Sequence, residues 1–186
     1  ETFFAPQVIM SYSSEGFTAL SHQYHDLIRE HICRGPWKHA KRPALINNWE
    51  ATYFAFNKER ILKIARQAKE PGIEMLVLDD GWFAGRDNDR AGLGDYTVNR
   101  KKLPEGLEGL SGHLKDRGLS FGLWFEPESV NPDSDLYRAH PDWALTDGFQ
   151  PVLGRNQLLL DLTKPEVRDY IVENVSRILD STGISY

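Results

Sequence analysis

The 186-residue chain carries 22 basic against 27 acidic side chains, a formal net charge of −5, with 40% hydrophobic and 26% charged residues. That composition excludes a disordered tail, a collagen-like repeat and a low-complexity linker. The acidic balance argues against nucleic acid, whose phosphates need clustered Lys and Arg, and no apolar run approaches the ~18–20 residues that span a bilayer. No basic-then-apolar leader opens the chain, and its one cysteine, Cys33, has no internal partner, so a reducing, cytoplasmic setting is expected.

Residues 2–4 and 7–10 read as two short strands separated by Pro6. A helix follows over about residues 16–31, where Leu20, Tyr24, Leu27, Ile28 and Ile32 recur at three- and four-residue steps, and Arg34-Gly35-Pro36 stops it. The irregular, basic stretch 37–43 marks a boundary, dividing residues 1–42 from 43–186. From Ala44 the chain alternates. Ala44-Leu45-Ile46 leads into Asn47-Asn48-Trp49, and a helix from Asn57 carries Ile61, Leu62, Ile64, Ala65 and Ala68 up to Pro71-Gly72. Met75-Leu76-Val77-Leu78 runs into Asp79-Asp80-Gly81-Trp82, and a helix over about 106–117 carries Leu107, Leu110 and Leu114. The run 119–125 then meets Glu126-Pro127-Glu128. A last helix is expected to open on a capping box of Thr163 and Glu166 and to display Val167, Tyr170, Ile171, Val175, Ile178 and Leu179. Residues 184–186 read as the opening of another strand.

Strand–helix alternation with short, wholly apolar strands is the signature of a parallel sheet covered on both faces. Each of the three complete strands ends in carboxylates, amides or tryptophan, and ligands bind at the carboxyl ends of parallel strands. No G-x-G-x-x-G or Walker-type loop follows any strand, which disfavours nucleotide binding and leaves the fold class as α/β, a partial (β/α)8 TIM barrel. A full barrel takes about 250 residues. Three strands and the start of a fourth therefore amount to the first three to four β/α units, whose open edges must be covered by further chain or by a second copy.

Asp79-Asp80 is the strongest local signal. Neighbouring strand residues point to opposite faces, so the two converge only where the strand has broken, which Gly81 permits. Such a pair can hold sugar hydroxyls, ligate a metal or transfer protons; the plainer alternative is one loop-bonding and one solvated carboxylate. Glu126 and Glu128 admit a catalytic role or a salt bridge to a loop arginine. Trp49 and Trp124 offer an apolar face for a pyranose and an N–H for its hydroxyls, or else core packing. Arg155, read as lying in a loop before the apolar run 158–160, can grip two oxygens at once. His22 and His25, three apart with no further ligand pattern, read as a solvated helix face, and Cys33 as a buried apolar filler. No metal or cofactor is expected.

Ile46-Asn47-Asn48-Trp49-Glu50-Ala51-Thr52-Tyr53-Phe54, Leu78-Asp79-Asp80-Gly81-Trp82-Phe83, Leu93-Gly94-Asp95, Lys102-Leu103-Pro104, Gly122-Leu123-Trp124-Phe125-Glu126-Pro127-Glu128 and Leu153-Gly154-Arg155-Asn156-Gln157 together resemble the bacterial α-galactosidases of glycoside hydrolase family 36. The resemblance runs in order over residues 43–186. Residues 1–42 resemble the end of that family's N-terminal β-sandwich and the helices leading to its barrel. It implies a retaining hydrolase of terminal α-linked galactose, as in melibiose or raffinose, working through two catalytic carboxylates. The family's nucleophile follows the fourth strand in a Lys-Trp-Asp motif, so neither it nor the acid/base is expected within these residues, and the stretch alone is expected to lack turnover. What the resemblance carries over is substrate binding by Trp49, Asp79, Asp80, Trp124 and Arg155, with Glu126 and Glu128 behind them. Homo-oligomers are implied as well. Ala55, Ser129 and Pro71 depart from the family pattern, where an acidic residue, a methionine and an aliphatic residue are usual. A self-associating, non-catalytic half-barrel and a galactosyl-transferring relative remain as alternative functions.

Overall fold

The computed structural model describes residues 2–184 and 186. Between Arg42 and Pro43 the chain divides into two units, Glu1–Arg42 and Pro43–Tyr186. In the first, helix α1 (Phe17–Leu27) continues into a single π-helical turn, Ile28–Ile32. Residues 2–15 form no strand, contrary to the sequence expectation. A strand exists only as one member of a hydrogen-bonded ladder, and a short apolar run alone does not supply a partner. Phe3, Phe4, Val8 and Met10 are accordingly 78–89% exposed. Cys33 is half-buried rather than a core filler. His22 and His25 are exposed, with ring centroids 6.2 Å apart.

The second unit is built on three parallel strands, β1 (Leu45–Asn47), β2 (Met75–Leu78) and β3 (Ser120–Leu123), in that spatial order. Leu45, Ile46 and Asn47 pair with Met75, Leu76 and Val77, and Met75 to Leu78 pair with Ser120 to Leu123. A single turn, α2 (Trp49–Thr52), sits on the tip of β1. Helix α3 (Lys58–Lys69) connects β1 to β2, and α4 (Gly106–Lys115) connects β2 to β3. The Asn57 side chain accepts from the Arg60 N–H at 3.0 Å, satisfying one of the free donors at the start of α3. Ile61 and Ala65 of α3, with Leu107, Leu110 and Leu114 of α4, pack onto Leu76, Leu78, Phe121 and Leu123 in one core. All four residues of β2 are buried, as expected of a central strand covered on both faces.

Beyond β3 the chain builds a second, antiparallel sheet that the periodicity does not announce. Strands β4 (Ser129–Val130), β5 (Leu153–Gly154) and β6 (Gln157–Leu159) lie in the order β4-β6-β5, with the short helix α5 (Asp135–Ala139) between β4 and β5. Val130, Leu136, Trp143, Leu158, Leu160 and Val167 form its own small core. Helix α6 (Pro165–Thr182) lacks the expected capping box: its N-cap is Lys164 and its first residue Pro165. Thr163 lies one position too early, and its hydroxyl is already bonded to Asp161 at 2.6 Å. Val167 and Ile178 face inward as expected, whereas Leu179 is 37% exposed. The Leu123 N–H donates to the Tyr186 carbonyl at 2.9 Å, so the last residue lies alongside β3 where a fourth strand was expected to open; Ser185 falls outside the described residues.

Candidate functional site

At the carboxyl ends of the parallel strands, backbone and side-chain polar groups are stapled to one another. The buried Asn48 amide accepts the Asp79 N–H at 2.7 Å, tying the tip of β1 to the tip of β2. The Trp124 N–H reaches the Leu78 carbonyl at 2.9 Å, and the Trp82 indole N–H reaches the Trp124 carbonyl at 3.0 Å, tying β2 to β3. Trp82 itself is wholly buried against Phe83, Tyr96 and Phe125, with ring centroids 5.0–6.0 Å apart. Burial pushes the Tyr96 hydroxyl well above the usual phenol range, so it stays protonated.

Just after β2 the strand breaks at Gly81, whose φ of 94° is in the left-handed region. A Cβ there would stand 2.9 Å from the Phe54 ring. This break lets Asp79 and Asp80 face the same cavity, but in different states. Asp80 is 6% exposed and is held side-on by Arg86: Nε donates to Oδ1 at 2.9 Å and Nη2 to Oδ2 at 2.7 Å. Asp79 is half-buried; its Oδ2 accepts from the Asn47 amide and its Oδ1 from the Asp80 N–H at 2.8 Å. Neither is the solvated loop carboxylate of the plainer reading.

Opposite them lies the β5–β6 hairpin. Leu153 pairs with Leu158 and Gly154 with Gln157, leaving Arg155 and Asn156 as a two-residue tip. Their φ values of 50° and 61° are both left-handed, the geometry of a type I′ turn. Arg155 therefore sits at a hairpin tip rather than in an irregular loop. Among the described residues its guanidinium makes no hydrogen bond.

The two walls enclose a cavity of about 320 Å³ lined by Trp49, Asp79, Asp80, Trp124 and Arg155, the five residues singled out from sequence, together with Phe54, Arg86, Asp89, Glu126 and Gln157. Trp49 is held edge-on between Tyr53 and Phe54, at 5.1 and 5.0 Å between centroids. Glu126 is part of the wall rather than behind it, accepting from the Gln157 amide at 3.3 Å, while Glu128 is exposed and lines a different, apolar cleft. The lining brings four carboxylates, two guanidinium groups and two indoles together: carboxylates can accept from ligand hydroxyls, guanidinium groups can donate to them, and indole faces can cover C–H groups. No three His, Cys, Asp or Glu among the described residues are grouped to hold a metal, and no helix among them is long and apolar enough to cross a membrane.

The melibiase family model matches residues 2–186. The chain belongs to the melibiase family, glycoside hydrolase family 36. Alpha-galactosidase AgaA of Geobacillus stearothermophilus is 54% identical over 187 residues, covering 100% of this chain and 26% of that protein. The bifunctional alpha-galactosidase/sucrose kinase AgaSK of Mediterraneibacter gnavus is 51% identical, covering 100% of this chain and 20% of that protein. The chain thus spans about a quarter or less of these curated relatives. A crystal structure of an AgaA variant in complex with 1-deoxygalactonojirimycin superposes with a TM-score of 0.90 at 53% identity, over 94% of this chain and 24% of that one.

Within this melibiase chain, sequence reasoning missed Phe54, Arg86, Asp89 and Gln157 as wall residues. Arg86 carries no sequence signal: it is one arginine in a polar loop, and only the fold reveals that it is 2% exposed. The hairpin had a faint one, since Asn tolerates left-handed φ and Arg155-Asn156 separates two runs that can pair.

Proposed function

We propose that the full-length protein is an α-galactosidase and that this cavity is the galactose-recognising part of its active site. Trp49, Asp79, Asp80, Trp124 and Arg155 contact the sugar, and the carboxylates that break the bond lie outside these 186 residues. The single observation carrying the reading is that five residues drawn from four separate sequence motifs line one cavity. Asp79 is the best-placed acceptor for hydroxyls, being half-buried yet open to the cavity. A carboxylate already fixed by its neighbours loses little freedom on binding a hydroxyl, and a ligand lacking that hydroxyl leaves it unsatisfied.

We also read the three parallel strands as the opening of a closed (β/α)8 barrel, and residues 1–42 as the end of an N-terminal β-sandwich domain and a helical linker. Family membership supports both. The substrates expected are terminal α-galactosides of the melibiose and raffinose type.

The test is hydrolysis of an aryl α-galactoside by the full-length protein, with residues 1–186 alone expected to give none. No release above background by the full-length protein would falsify the assignment. In that protein Asp79→Ala is expected to lower kcat/KM about 10- to 100-fold, the loss of one charge-assisted hydrogen bond of roughly 1.5–3 kcal/mol.

A further inference from the structure

Resting on the reading of the cavity as a sugar site, we propose that Asn131 and Arg86 are positioning residues that set the spacing between the Asp79–Asp80 wall and the Arg155 hairpin. Asn131 is completely buried, one residue beyond β4. An amide offers two acceptor lone pairs and two donor hydrogens, and here all four are used. Its Oδ1 accepts from Arg86 Nη1 at 2.8 Å and from the Leu93 N–H at 3.0 Å. Its Nδ2 donates to the Asn156 carbonyl at 2.8 Å and to the Asp89 carbonyl at 3.2 Å.

Arg86 completes the link. Two of its nitrogens hold Asp80, and Nη1 turns to Asn131 and, at 3.2 Å, to the Ala91 carbonyl. Three hydrogen-bonded steps therefore join opposite sides of the cavity: Asp80 to Arg86, Arg86 to Asn131, and Asn131 to the backbone carrying Arg155. Among the described residues, the Asn131 bond is the one hydrogen bond that ties tip residues 155 and 156 to anything outside the hairpin. The same amide fixes the backbone of Asp89, a third wall residue. The planar guanidinium and the saturated amide leave neither side free to shift alone, and a site loses ligand affinity steeply when its groups drift by an ångström.

Asn131→Asp separates the two halves of the link. It preserves shape and still accepts from Arg86, but faces two carbonyls with a carboxylate oxygen and competes with Asp80 for the guanidinium. The experiment measures dissociation of 1-deoxygalactonojirimycin from the full-length protein, unsubstituted and with Asn131→Asp, Arg155→Ala and both together, with circular dichroism on every variant. Asn131→Asp is expected to weaken binding about tenfold in the parent and less than about threefold in the Arg155→Ala background, because residues acting through one another are non-additive. A merely structural asparagine would give the same fold loss in both backgrounds. Equal losses, or unchanged binding by a folded variant, overturn the positioning role. Where Asn131→Asp does not fold, Asn131→Ser, which leaves room for water at the freed carbonyls, decides by the same comparison. An unsubstituted protein that neither binds the mimic nor cleaves an α-galactoside overturns the sugar-site reading and this proposal together; tight binding with additive losses overturns the positioning alone.

Discussion

The two walls of the cavity are held by different forces. The Trp49–Asp79–Asp80–Trp124 wall grows from parallel strands packed under helices α3 and α4, with the central strand β2 wholly buried, so its backbone moves only if the main core moves. The Arg155 wall stands on a two-residue hairpin tip whose β5 flank is exposed, and among the described residues a single buried amide fastens that tip to the chain outside the hairpin. A rigid wall fixes what is recognised, and a lightly fastened one is where fit can be adjusted without unfolding the molecule.

The sharpest way to break that contrast is Arg86→Met. Asp80 would remain buried with no counter-charge, which is expected to cost about 3–5 kcal/mol, read by chemical denaturation of the full-length protein. Leu78→Ala, beneath the first wall, is expected to cost about 2–5 kcal/mol and to lower the thermal midpoint along with sugar affinity. Asn156→Val attacks the second wall. A β-branched residue at φ 61° is strained by roughly 1–2 kcal/mol, so substrate KM is expected to rise while the thermal midpoint moves little. An equal drop in midpoint for Leu78→Ala and Asn156→Val would erase the distinction between the walls.

The smallest expected effect is one of pH. Asp95 accepts the N–H groups of Asp135 and Leu136, fastening α5 beneath the second sheet, and burial raises its pKa despite those bonds. The native state therefore holds this proton more tightly than the unfolded chain does. Its contribution is present below the ordinary carboxylate range and is lost as pH rises through the raised value. Asp95→Asn is expected to flatten that part of the stability–pH curve; an unchanged slope contradicts it.

The parallel strands were legible because burial on both faces leaves an unbroken apolar run, as in residues 75–78, and because helices such as α3 repeat their apolar positions every three or four residues. The aspartate pair was legible because Gly81 reveals the break. The antiparallel sheet was not, since strands of two and three residues are too short to show a period. Nor was the role of Arg86 or Asn131, because a buried ionic or amide hub is defined by partners from other segments, 45 positions away between these two. The strands expected at residues 2–10 failed for the converse reason: the pattern was present, but among the described residues no strand pairs with them.

Trp82 lies sealed beneath the cavity, while Trp49 and Trp124 face into it. An incoming ligand changes the surroundings of these two of the chain's five indoles and leaves Trp82 untouched. The site therefore carries an intrinsic emission signal together with its own constant reference, and occupancy can be followed by light without attaching a probe.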